Sequence, residues 1–136
     1  MENYRACMNA LGNLEVNAFE EKRVACQVMN SASEKKLEVA ETYARLCDDI
    51  VNLYRVEYTE ADGAARKEAA KARFEISIKA ARSNLRESNE ALDAIIRAQK
   101  ERITEVDKAS DRMRAELESL AHAASSSIQR RSNVPS

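Results

Sequence analysis

Between Val39 and Tyr54 the apolar residues recur as two interleaved stripes, Val39-Tyr43-Leu46-Ile50-Leu53 and Ala40-Ala44-Cys47-Val51-Tyr54. At about 3.6 residues per turn the stripes lie side by side and cover roughly half the circumference of a helix. The other half carries Glu38, Glu41, Thr42, Arg45, Asp48, Asp49, Asn52 and Arg55, all polar, so the period is that of an α-helix. A two-stranded seam uses a narrower stripe, so this segment is expected to touch at least two further helices, of its own chain or of another. Val39, Tyr43, Leu46, Ile50, Leu53 and Tyr54 are accordingly the candidate partner-binding residues.

Little in the chain opposes helix. Of 136 residues two are Gly and one is Pro, at position 135, while a third are charged. Chains rich in Ala, Glu, Lys, Leu and Arg at helical period form long helices or coiled coils, because these residues lose least on entering a helix. The firmest interruption is Thr59-Glu60-Ala61-Asp62-Gly63. Gly63 can take the left-handed conformation that closes a helix, and Thr59 and Asp62 have capping-box-like spacing. A turn at 59–63 divides the chain into arms of similar length, 2–58 and 64–124. The predicted fold is therefore all-α: a long antiparallel helical hairpin or coiled coil spanning residues 1–124 as one domain. Numbers on facing arms should then add to about 126, with Leu46 near Ala80, Tyr54 near Ala72 and Leu11 near Ala115.

Ser31 followed by Glu34 has the spacing of a second capping box, which predicts a kink or break near residues 30–33. A full break would give the alternative fold, a compact three- or four-helix bundle. In the first arm Tyr4, Met8, Leu11, Leu14, Ala18, Ala25 and Met29 share a face on which Glu15 and Lys22 intrude. The second arm has a narrower seam: Phe74, Ile78, Ala81, Leu85, Ser88, Leu92, Ile95, Gln99, Ile103, Val106, Ser110, Met113, Leu117, Leu120 and Ala124. Residues 125–136 lack periodicity and read as a disordered tail.

The halves differ in charge. Residues 1–62 carry seven basic and twelve acidic side chains, and residues 63–136 fifteen and eleven. Opposite signs favour pairing of the arms, and the basic stretch from Arg66 to Arg86 reads as complementary to the acidic residues facing it. No aromatic interleaving or known motif accompanies that stretch, so nucleic-acid binding is not expected. The polar half around Val39–Tyr54 is mainly acidic, unlike a membrane-surface helix, and no apolar run approaches the ~20 residues of a membrane span. The start lacks a basic flank followed by an apolar core, and the chain reads as soluble and cytoplasmic.

Catalysis needs a constellation, and none is legible. His122 is the one histidine, and neither a Gly-rich phosphate loop nor paired Glu-x-x-His motifs occur. No cofactor or metal is expected. Cys7, Cys26 and Cys47 are odd in number and widely spaced, and read as reduced, buried, small apolar residues. The function implied is a non-catalytic coiled-coil scaffold or adaptor subunit acting through helix–helix contacts with itself, as a homodimer, or with partner helices. The alternative is a small helical chaperone or an accessory protein of an export machinery. In outline the chain looks like the two-helix stalk proteins of type III export ATPases, with which it shares no quotable motif.

Overall fold

The computed structural model describes residues 2–132, with side chains through Gln129. Two α-helices account for nearly all of them: α1, Glu2–Glu60, and α2, Ala64–Ser132. They pack against each other as an all-α helical hairpin.

The turn is tighter than the sequence suggests, with residues 61–63 alone outside the helices. Gly63 has φ of +84°, a conformation that side chains with a Cβ rarely adopt. Its carbonyl accepts a hydrogen bond from the Lys67 amide at 3.3 Å, which closes the first turn of α2. The Thr59 hydroxyl instead donates to the Arg55 carbonyl at 2.7 Å. It thus bonds back onto its own helix and starts no new one.

α1 runs as helix through residues 30–33. Ala32, in the middle of the candidate break, is buried, while Ser31 and Ser33 face solvent. Packing of Ala32 thus outweighs the local capping preference, and neither Gly nor Pro is present to enforce a stop. α2 continues as helix beyond Ala124 to Ser132; residues 133–136 of the expected tail lie outside the described residues.

Contacts divide the chain into two units. The turn unit comprises Met29–Arg97, and the terminal unit Met1–Val28 with Ala98–Ser136. In the turn unit the seam joins Val39, Tyr43, Cys47, Ile50 and Tyr54 of α1 to Ala70, Phe74, Ile78, Ala81, Leu85, Leu92 and Ile96 of α2, all buried or half-buried. Lys36 pairs with Asp93 at 2.7 Å and Arg73 with Glu57 at 3.1 Å. The rings of Tyr54 and Phe74 meet with centroids 4.7 Å apart. The terminal unit has a more polar seam. Leu11, Leu14, Ala18 and Ala25 meet Ile103, Val106 and Leu117, but Lys22, Gln99, Ser110 and Arg114 share the line. Lys22 there pairs with Asp107 at 2.8 Å, and Arg114 lies 3.8 Å from Glu15.

Within each unit the facing residue numbers add to between 128 and 130, as in Lys22–Asp107, Lys36–Asp93 and Tyr54–Phe74. The equal-arm argument placed the sum three lower. The cause lies at the start of α2, where residues 64–69 are exposed and Ala70 is the first to be buried. The first turn of α2 therefore forms before the helix meets α1, and the register shifts by nearly one turn.

Net charge also misleads about pairing. Among the described residues, two of the four pairs between the helices run from a lysine of α1, the acidic arm, to an aspartate of α2. Of the basic stretch 66–86, Arg73 alone pairs across to α1 within 4 Å. Position along the seam decides these contacts, and each is an exposed pair contributing on the order of 0–1 kcal/mol.

Candidate docking surface

The wide apolar band of α1 is divided by its contact with α2. Val39, Tyr43, Ile50 and Tyr54 turn toward α2 and become half-buried. Leu46 and Leu53 remain 42% and 60% exposed. Of the six candidate residues, four are thus wholly or partly taken up inside the hairpin and two look outward. The reason is geometric: one helix of radius about 5 Å covers a stripe and not a half-cylinder.

Leu46 and Leu53 border two hollows on one side of the turn unit. The larger, of about 310 Å³, lies between Val39, Tyr43 and Leu46 of α1 and Ala81, Leu85 and Ser88 of α2. The smaller, of about 100 Å³, lies between Ile50, Leu53 and Tyr54 and Ala70, Phe74 and Ser77, with Glu57 and Arg73 at its mouth. Their floors are apolar because they are the edge of the seam itself. Their rims are unequal: Leu46 and Leu53 stand on the α1 side, and Asn84, Ser88 and Ser77 on the α2 side beside Leu85 and Phe74.

That inequality is regular. Along α1 the bulky wall advances by sevens, Val39, Leu46, Leu53; along α2 Ala70, Ser77, Asn84 and Ala91 also advance by sevens. In the observed register these stand level with one another. Leu53 is level with Ser77, Leu46 with Asn84 and Val39 with Ala91, each pair adding to 130, within the range of the ion pairs. This level matching is not legible in the sequence alone, because it depends on the register. The sevenfold recurrence of small residues was the available signal.

Several large side chains chosen for the seam lie beside it. Ile95, Met113 and Leu120 are exposed, and their neighbours Ile96 and Arg114, half-buried, and Ala121, buried, take their places. Tyr4 and Met8, expected on the first-arm face, are exposed, whereas the intruding Lys22 is half-buried. Cys26 is exposed too, and Cys7 and Cys47 are half-buried, all three unpaired. Among the described residues no three His, Cys, Asp or Glu side chains converge as a metal site requires, and no helix is long and apolar enough to cross a membrane. No protein-family model matches the chain, and no curated protein or solved structure matches it.

Proposed function

We propose that the chain is a non-catalytic scaffold or adaptor subunit that works by accepting a further helix along the Leu46–Leu53 side of the turn unit. One observation carries this reading. Among the described residues the buried apolar side chains are all alanines, Ala25, Ala32, Ala70, Ala81 and Ala121, and no large side chain is fully buried. A hairpin whose completely covered core is alanine leaves most of its apolar surface for something else to cover. Covering one leucine contributes roughly 1.5 to 3 kcal/mol.

The total surface supports the same conclusion. The chain exposes 10471 Å² at 15.2 kDa, where a compact monomer of that mass exposes about 7,100 Å². The difference, roughly 3,400 Å², is what two long helices with no third layer leave in water.

A photo-crosslinking residue placed at position 53, in the full chain expressed in its native cells, tests the reading. It should give discrete protein adducts, a second copy of the chain counting as one, and the same residue at position 48 should not. Adducts to lipid or nucleic acid alone, or equal yields at both positions, would overturn it.

A further inference from the structure

We infer that the helices covering the Leu46–Leu53 side are those of a second copy of this chain, related by a two-fold axis running along the arms of the turn unit. The inference rests on the reading that this side docks helices, and adds the identity and orientation of the occupant.

The level matching of the two walls selects the arrangement. A symmetric dimer presents the same patch on both copies, so the patch must complement itself. With the two-fold axis along the arms, residues keep their level and α1 of one copy lies over α2 of the other. Leu53 then enters the space above Ser77 of the second copy, Leu46 the space above Asn84 and Val39 the space above Ala91. At each level the larger apolar side chain meets a shorter or polar one, Ser77, Asn84 or Ala91, which leaves room for interdigitation. An axis across the arms instead stacks α1 on α1, sets the leucine ridge of one copy against that of the other, and leaves two small-residue walls facing across a void. Both arrangements make neighbouring helices antiparallel, so the fit of the walls decides between them.

Charge at the borders agrees. Arg45 lies on the outer edge of α1 and Glu87 on the outer edge of α2, and the observed register places them within about one helical turn of the same level. In the dimer each cation thus approaches a carboxylate of the other copy. Among the described residues Arg45 and Glu87 have no ion-pair partner within their own chain. Glu38, one heptad before Arg45 on the same edge of α1, is already engaged by Lys35 at 3.5 Å. The opposite side of α2, with Lys71, Lys79, Arg82 and Arg86, stays in water.

Mixing of variants of the full chain tests this, with association followed by sedimentation equilibrium. Arg45→Glu and Glu87→Arg should each weaken self-association, by roughly three- to tenfold, because each variant alone sets like charges against each other in two symmetry-related places. An equimolar mixture of the two should recover the parental affinity, since every border then joins opposite charges across the two chains. Ser77→Leu should weaken association more, by on the order of ten- to hundredfold through overpacking, and Leu53→Ala in the same chain should restore part of it. A folded monomer for the parental chain at micromolar concentration overturns the inference, and so does a mixture no tighter than its components. If position 53 still crosslinks to a different protein in that case, the docking reading survives without the second copy.

Discussion

Tyr54 and Phe74, twenty residues apart in the chain, meet across the hairpin with ring centroids 4.7 Å apart and planes inclined by 33°. Tyr58 joins from the other side at 5.6 Å, and the Lys67 ammonium lies 5.2 Å over its ring. This cluster closes the turn unit just below Gly63. Phe74→Ala should lower stability by about 2 to 3 kcal/mol, less than the loss at a fully buried phenylalanine because Phe74 is half-buried. Ile76, two residues on and 69% exposed, should tolerate alanine within about 0.5 kcal/mol. Denaturant unfolding of the two variants makes the comparison, and equal losses would place the wrong face of α2 against α1.

The two glycines should respond in opposite directions. Neither would have a Cβ within 4 Å of another group, so space does not distinguish them; backbone does. Gly12 lies inside α1 with ordinary helical φ, and Gly12→Ala should stabilise by about 0.5 to 1 kcal/mol. Gly63 has φ of +84°, and Gly63→Ala should destabilise by about 1 kcal/mol or more. Thermal melts of both variants read this directly.

Those positions also show what was legible in the residues. Gly63 announced the turn because a positive φ is a local requirement, and the Val39–Tyr54 band announced a helix with unsatisfied apolar surface. The Ser31 capping signal was equally local and failed, since burial of Ala32 is a tertiary effect. Met113 and Leu120 were chosen over Arg114 and Ala121 on hydrophobicity, but the seam advances by extra steps of four from Leu92 to Ala121, so the line that faces α1 rotates around α2 and passes them by. The docking walls were hidden for a different reason. Leu53 and Ser77 become a pair through a register that depends on how far α2 runs before it meets α1.

The terminal unit should be the weaker of the two. Its seam carries Lys22, Gln99, Ser110 and Arg114, and the Arg114 Nε is buried without a hydrogen-bond partner. Amide hydrogen exchange at residues 10–25 and 100–117 is expected to be faster than at residues 39–54 and 74–92. Arg114→Met should narrow the gap and stabilise by about 1 kcal/mol, because it removes an unsatisfied buried donor at the expense of two long ion contacts of 3.8 and 3.9 Å. Uniform protection would contradict the assignment.

Thiol labelling should follow exposure. Cys26 faces solvent, and Cys7 and Cys47 are half-buried. Under native conditions Cys26 should react first, and the three rates should converge in denaturant. A native Cys47 rate equal to that of Cys26 would mean that the seam of the turn unit opens on the labelling timescale.

The most direct measurement compares two leucines of α1 that are exposed to similar extents and differ in the side they occupy. Leu53, 60% exposed, borders the hollow beside Ser77; Leu37, 67% exposed, lines none of the hollows of the turn unit. Sedimentation equilibrium of the full chain should give a dimer for the parent and for Leu37→Glu, and a helical monomer for Leu53→Glu. Equal association of the two variants, or loss of association in Leu37→Glu alone, would contradict the assignment of the docking face.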